Sequence, residues 1–472
     1  MKEAKTEKLD SQKKTSTEKV AEFISSTKFE DIPAGAILVA KNALLDWIGV
    51  SIAGSQQPGA QILAEYAKKS AARNEASIVC HGFKTTAEFA AWANGNIGHS
   101  IDFDDTNPAV AHYNMHPSTC VMPAVLAVAE KHKVSGPQML TAYVVGMEVI
   151  FRVGAAIGAE SSKSGWHPTP VIGSVATAAA CANLLGLNQI QTQNALGIAA
   201  SLAGGLNHNF GSMTKPLHAG NAARNGVVAA ELAADGFTSN PNVFDGKFSY
   251  CQMFGGKPVD GLLGEENDLG KEWRLFTQGI GFKYYPSCRS THTSIDATLE
   301  LRKKYKINID QVAEITCKIN PHHLNMAKFL KPESGYQGKF SIPYCIITAL
   351  RNGIVTLGDF ADDKVLDTKT QGLLSLVNFV PDGGTDGTVL LAAEITIRLK
   401  NGEKYSQRVS LPKGEPENPV TDEELAGKFV ACSSLILNKR DVNRIIKLVR
   451  SIENTKDLTP LFDIIVKAPK AG

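Results

Sequence analysis

The sequence predicts a mainly α protein: a large all-helical domain built from both ends of the chain, with a smaller α+β domain inserted between them as a lid. Three observations predict it. Apolar residues recur at helical spacing from about residue 17 to 265, the period shortens to two between about 268 and 412, and helical spacing then returns. The expected division is a frayed tail over 1–17, a helical domain over 18–267 and 413–472, and the α+β lid over 268–412. A length of 472 residues suits two or three domains.

The elements follow in order. In AILVAKNALLDWIGVSIAG (36–54), Ile37, Leu44, Leu45, Ile48 and Ile52 share one helical face, and Gly54 supplies a stop. PAVLAVAEKHK (123–133), QMLTAYVVGMEVIFRVGAAIG (138–158), NALGIAASLAGGL (194–206) and AARNGVVAAELAADG (222–236) continue as helices. VIGSVATAAACANLLGL (171–187) is apolar, but it is rich in Ala and interrupted by Ser174, Thr177 and Asn183, so it reads as a buried helix and not a membrane span. In EITCKI (314–319) and EITIRLK (394–400) apolar and polar residues alternate, as on half-buried strands. Asn401-Gly402 follows the second run, which predicts a hairpin with φ > 0 at both turn residues. Thr421 with Glu424 forms a capping box, and Ile445, Leu448, Val449 and Ile452 give a last amphipathic face.

Composition narrows the partners. A formal charge of +2 leaves no electrostatic footprint for nucleic acid, so any anion must be held by a few local cations. None of the eight cysteines forms a C-x-x-C pair, a usage expected of reduced thiols in the cytoplasm. Residues 1–18 lack the apolar run of a secretory signal and carry acids without Arg.

Chemistry concentrates in HSIDFDDTNPAVAHYNMHPS (99–118), where His99, His112 and His116 surround Asp102, Asp104 and Asp105. It admits three readings: a metal site, a proton-transfer site, or a polar loop. The spacing is neither H-E-x-x-H nor that of an EF-hand. Other clusters bear on the choice: His167 in SGWHPTP, Lys215 and His218 in GSMTKPLHAGNAARNG, and Lys283, Cys288, Arg289 and His292 in FKYYPSCRSTHTSIDA. Several cations and acid–base groups without a phosphate-binding glycine loop suit a small polycarboxylate. One charge pair at 4 Å is worth roughly 4 kcal/mol at an effective dielectric of 20, so a di- or trianion needs more than one cation. A metal-dependent hydrolase and a non-catalytic helical binding protein are the rival readings.

Seven blocks, in order, carry a more specific signal: NGNIGHSIDFDDT, HPSTCVMPAVLAVAE, GMEVIFRVG, SGWHPTPVIGS, KPLHAGNAARNG, KYYPSCRSTHTSIDA and LPKGEPENP. Through them, over about 20–465, the chain resembles the MmgE/PrpD family, which includes 2-methylcitrate dehydratase, cis-aconitate decarboxylase and iminodisuccinate epimerase. The resemblance implies a helical domain with a smaller lid, a homodimer, and a lyase or isomerase of small di- or tricarboxylates that uses no metal or other cofactor. It favours proton transfer for the 99–118 stretch.

On the family pattern, Asp102, Thr106, His116, His167, Lys215 and Lys283 fall on active-site positions. His116 and His167 would be the acid–base pair, and Lys215 and Lys283 would bind carboxylates. Asp102 would orient a His or Lys, and Thr106 would donate a hydrogen bond to substrate. Asp104 and Asp105 are expected only to cap a helix or hold the loop. His112, His218, Cys288, Arg289 and His292 are secondary candidates for substrate binding; HPS favours His116 over His112 as the ring facing the site. Cys288 stands where animal-type cis-aconitate decarboxylases carry His. The expected reaction is therefore dehydration of a citrate- or 2-methylcitrate-like acid by proton abstraction beside a carboxylate, with decarboxylation or epimerisation as alternatives.

Overall fold

The computed structural model describes residues 14–70, 73–107, 114–256, 268–382 and 391–469. The described residues begin inside the expected tail. Thr15 caps α1 (Ser16–Ser26) through a capping box with Glu18, and the buried Thr17 hydroxyl donates to Asp245 at 3.0 Å. Residues 14–17 are thus part of the helical domain, and the rest of the expected tail, 1–13, lies outside the described residues.

The helical series continues through α2 (Ala34–Gly54), α3 (Pro58–Lys69), α4 (Ala87–His99), α5 (Ser118–His132), α6 (Gly136–Lys163), α7 (Pro168–Leu184), α8 (Gln189–Leu202) and α9 (Thr214–Ala234). A two-stranded ribbon, β1 (Ala76–Ser77) with β2 (Lys84–Thr85), precedes α4. Gly and Ala allow unusually close helix contacts. A Cβ added to Gly220 of α9 would lie 2.2 Å from the Trp92 carbonyl oxygen of α4, and one on Gly226 would lie 2.4 Å from Thr177 of α7. No larger residue fits either place without moving a helix. α2 and α6 are long and apolar enough to cross a membrane, yet both lie mostly buried within this core. In α7 every residue from 168 to 182 is buried, so it is a core helix as expected.

The smaller region carries a sheet in the order β4-β3-β5-β6, from β3 (Val312–Ile319), β4 (Val377–Pro381), β5 (Ala393–Leu399) and β6 (Lys404–Val409). β3 pairs parallel with β4 and antiparallel with β5, and β5 pairs antiparallel with β6. Ile315, Cys317 and Ile319 point inward against the helices His292–Tyr305 and Ile342–Asn352. The hairpin differs from the expectation. Only Gly402 takes positive φ (91°), and Leu399 N–H bonds the Glu403 carbonyl at 2.8 Å, closing a three-residue loop. One left-handed residue after a tight turn satisfies this loop, so Asn401 keeps an ordinary φ.

The core also moves the expected boundary at 268. Trp273, Leu275 and Ile280 pack with the helical domain, and the second core begins at Tyr285. After β6 the chain returns: Phe429, Val442, Ile445, Val449 and Ile452 join the same core as α2 and α6. The Thr421–Glu424 capping box starts the helix Asp422–Ser433, which lies against α2.

Candidate active site

α4 ends at His99, and the chain then turns through Asp102, which takes a left-handed φ of 53°. Asp is among the few residues that accept this region, because its short side chain can bond locally. The turn presents the Asp102 carboxylate to the first turn of α9. There Lys215 Nζ sits 2.5 Å from Asp102 Oδ1, while Lys283 Nζ lies 3.0 Å from Oδ2 and donates to the Asp102 carbonyl at 2.8 Å. All three residues are buried. Burial alone would raise the Asp102 pKa, but Lys215 and then Lys283 hold it well below the usual carboxylate range. Burial opposes the charge on Lys215, but Asp102 outweighs it and raises its pKa. Asp102 therefore clasps both lysines, while His116 Nε2 stands 4.0 Å away.

Asp104 does more than hold the loop. Its Oδ2 accepts from His99 Nδ1 at 2.9 Å and from His116 Nδ1 at 3.1 Å, and the two rings lie 4.3 Å apart. Burial opposes ionisation of Asp104, but His99 and His116 hold its pKa well below the ordinary range. A carboxylate on Nδ1 fixes the proton there and leaves the His116 Nε2 lone pair for the cavity. Burial drives His116 down to about 3 against the pull of Asp104, so it is a neutral imidazole at pH 7. His99 is likewise lowered by burial, and its Nε2 is buried without a hydrogen-bond partner. His99 and Asp104 are the site residues that sequence reasoning passed over. Their signal lay in the HSIDFDD run, but only the left-handed turn at Asp102 brings Asp104 back onto His99.

Asp105 keeps the structural part expected of it. It accepts from the Ser118 amide at 3.1 Å and from the Ser118 hydroxyl at the start of α5, and that hydroxyl also meets Tyr143 Oη at 2.7 Å. Burial pushes its carboxyl up to about 8.

His167 heads α7, with its amide bonded to the Gly205 carbonyl at 2.8 Å and its ring edge-on to Phe210. Its Nδ1 lies 3.1 Å from Nδ1 of His218 on α9. Burial, then Lys215, holds His167 well below the ordinary imidazole value, while burial, then His99, lowers His218 to about 4.

Asp102, His116, His167, Lys215, Lys283 and Cys288 converge on one cavity, closed by Phe210 and by Met326 and Phe340 of the smaller region. The free space for a water-sized sphere is about 10 Å³, room for one water. Burial raises the Cys288 pKa, so this thiol stays protonated at neutral pH.

Other expected residues stand differently. Thr106 is bridged to Gly281 and lines an adjoining hollow with His292 and Glu415 instead of the cavity; its hydroxyl oxygen accepts from Arg289 Nη1 at 3.4 Å, which leaves its O–H to donate. Arg289 reaches the cavity wall with its charge matched by Glu415 at 2.8 Å and with a donor spent on the Asn107 carbonyl at 2.7 Å. His292 packs edge-on against Tyr285 and contacts the Ser287 carbonyl at 3.3 Å, outside the cavity; burial lowers it to about 3. His218 is also outside the cavity lining, behind His167. His112 lies outside the described residues.

The metal reading can be weighed on the donors themselves. Ligand atoms of His99, Asp102, Asp104 and His116 fall within 4.8 Å of one another. Yet Asp102 already faces two ammonium groups within 3.0 Å, and Asp104 is taken by two imidazole N–H groups. A divalent ion would meet two lysine charges at once, so the donor set fits an ion-pair and proton-transfer network better.

A wider cleft of about 830 Å³ opens beside the cavity, between Gln57, Ser100 and Met213 on the helical side and Tyr336, Lys339 and Phe360 on the other. Lys339 is buried there, donates to the Pro286 carbonyl at 2.9 Å and lies over the Phe360 ring; burial lowers its pKa to about 8. Nothing in its local sequence marks it.

Comparison with known proteins gives a consistent likeness. The MmgE/PrpD N-terminal domain matches residues 18–261, and the MmgE/PrpD C-terminal domain matches residues 285–454. The chain is 30% identical over 466 residues to cis-aconitate decarboxylase of Homo sapiens, covering 96% of this chain and 95% of that protein. It is 30% identical over 472 residues to the cis-aconitate decarboxylase-like protein oryM of Aspergillus oryzae, covering 95% and 97%. To cis-aconitate decarboxylase of Aspergillus terreus it is 27% identical over 480 residues, covering 96% and 97%.

Proposed function

The chain belongs to the MmgE/PrpD family and is a lyase; from that premise we propose that it decarboxylates an unsaturated tricarboxylate of the cis-aconitate type. One observation carries the reading: two lysines and two neutral imidazoles share a closed cavity with a single clasped carboxylate, Asp102. Lys215 and Lys283 carry two positive charges, and Asp102 and Asp104 carry two negative ones. An entering trianion disturbs that balance, draws the lysines toward its carboxylates, and raises the proton affinity of His116 and His167.

The chemistry follows from that charge. The C–CO₂⁻ bond breaks, its electron pair stays in the carbon framework as an enolate-like anion, and the lysines stabilise it. An imidazolium then gives one proton to carbon, so a trianion and a proton become a dianion and CO₂. A positioned acid of this kind contributes roughly 10²–10⁴-fold. The activity of the relatives moves the choice away from the dehydration expected from sequence. Dehydration of a citrate- or 2-methylcitrate-like acid is the second reading, favoured by Cys288 in the cavity wall. A cytoplasmic homodimer remains part of the proposal, resting on cysteine usage and on the family; light scattering on the eluting protein checks the dimer.

The test is proton NMR of the pure protein in D₂O with EDTA, offered cis-aconitate, citrate, 2-methylcitrate and iminodisuccinate in turn. Decarboxylation predicts loss of cis-aconitate signals, a product one carboxylate smaller, and abolition by His116→Ala or Lys215→Ala. New vinyl signals from citrate or 2-methylcitrate alone would put dehydration in its place.

A further inference from the structure

Decarboxylation consumes a proton at every turnover, and the cavity has no evident supply. His116 and His167 are 5% and 1% exposed, and the cavity they line has room for about one water. While the cavity is closed, the proton must enter through the protein. His167 is the only cavity imidazole among the described residues whose other nitrogen contacts a further titratable ring: its Nδ1 faces Nδ1 of His218 at 3.1 Å.

Two facing ring nitrogens hold one proton between them, since one must donate and the other accept. Moving that proton across the gap changes which nitrogen of His167 is free. His218 is nearer to solvent than its partner, at 8% exposed against 1%. The stretch of chain 203–210 passes beside the pair. Its Leu206 and His208 are exposed, its Gly205 carbonyl holds the His167 amide, and a Cβ on Gly205 would sit 3.2 Å from the His218 ring.

We propose that His218 is the port through which the buried site takes up protons, passing them to His167 across this single hydrogen bond. The inference rests on the decarboxylation reading, since dehydration consumes no net proton. In the step, solvent gives a proton to His218 Nε2, the shared proton crosses from His218 Nδ1 to His167 Nδ1, and His167 Nε2–H goes to carbon as CO₂ departs. One proton enters, one is used, and the rings turn to restore the pair after product leaves. The charged and titratable groups facing the pair are Lys215, His99 and His116, and burial, with the Lys215 charge beside them, keeps both rings neutral between turnovers. A neutral pair is what such a path needs, because a ring that held its proton permanently would block the next one.

The measurement compares single-turnover and steady-state rates of cis-aconitate decarboxylation in the wild type, His218→Ala and His218→Gln. With no proton passing to His167, both variants should lose about tenfold or more in single-turnover and steady-state rates alike. KM should stay near its wild-type value, and added imidazole should restore the steady state of His218→Ala. No imidazole rescue of His218→Ala, or an unchanged rate in either variant, would overturn the port. If His218→Ala does not fold, His218→Gln retains a hydrogen bond to His167 and carries the same comparison. A wild type inert toward cis-aconitate would instead defeat the decarboxylation reading. The port then stands or falls on solvent exchange of the His167 ring proton, read by ¹⁵N NMR, which His218→Gln should slow and which an unchanged exchange rate would refute.

Discussion

Removing Lys215 would leave Asp102 with one ammonium partner instead of two, in a setting nearly closed to water. Breaking a buried pair on one side typically costs about 3–5 kcal/mol. Lys215→Met should therefore lower the urea midpoint by the equivalent of about 3 kcal/mol with an unchanged slope, and Lys215→Met with Asp102→Asn should recover part of it. The imidazoles make a second prediction. His116, His167, His218, His99 and His292 all lie below the ordinary value, so between about pH 6.5 and their folded values the unfolded chain binds more protons than the folded one. Stability must then fall as pH drops below about 6.5, and Asp102 and Asp104 add a loss of the same sign at lower pH. Asp105, raised to about 8, acts oppositely, losing its contribution as pH rises toward 8, and the raised carboxyls of Asp46, Glu148 and Asp296 share its sign, but between pH 7 and 5 the five imidazoles outnumber these four groups. Thermal melts at pH 7 and pH 5 should show the lower midpoint at pH 5. Asp102, His116, His167, Lys215 and Lys283 were legible from their motifs, and they meet in one cavity. The partners Asp104–His99 and Arg289–Glu415 were not, since a left-handed turn in one case and a long-range contact in the other leave no local mark.

At the level of elements, the long helices were read correctly because their apolar spacing is sustained over many turns. Errors gathered where a single dihedral or a packing choice decides. The Asn-Gly hairpin closes with one left-handed residue, not two, and β4 went unread because its short edge strand has mostly exposed residues. In residues 268–284 the apolar positions do not by themselves announce which core they join, and Trp273 and Leu275 take them to the helical one. The contact of α4 with α9 offers the sharpest element-scale test. Gly220→Ala would drive a methyl to 2.2 Å from the Trp92 carbonyl and push the two helices apart. Overpacking of this kind costs about 1–3 kcal/mol. Because α4 ends at His99 and α9 carries Lys215 and His218, the substitution should also reduce turnover; a calorimetric melt and an activity assay read the two effects.

For the whole molecule, the cavity's size is the governing fact. A space for one water cannot receive the tricarboxylate proposed above, and four of its lining residues, Cys288, Arg289, Met326 and Phe340, come from the smaller region. On the proposed function, entry of that substrate requires the two cores to part along that wall. Hydrogen exchange should show residues 288–291 and Phe340 exchanging faster without ligand and protected when cis-aconitate or an unreactive tricarboxylate binds. A ligand that raises the melting midpoint while leaving those amides unchanged would place the entry path elsewhere. The two-part organisation was legible from the change of period. The closeness of the closed state was not, because side-chain spacing along a chain carries no measure of the gap between domains.

The return of the chain to its first core has a consequence for how the protein is made. Phe429 lies against Gly49 of α2, and the Cys80 and Gly82 amides each bond at 2.7 Å to carbonyls of Ile465 and Val466. Domains generally fold as units while the ribosome is still working. Here the larger unit cannot be completed until residues 422–466 have emerged, although α2 was synthesised hundreds of residues earlier. Throughout that interval an apolar 21-residue helix waits without its cover, a natural client for a chaperone, while the inserted smaller region is free to fold first.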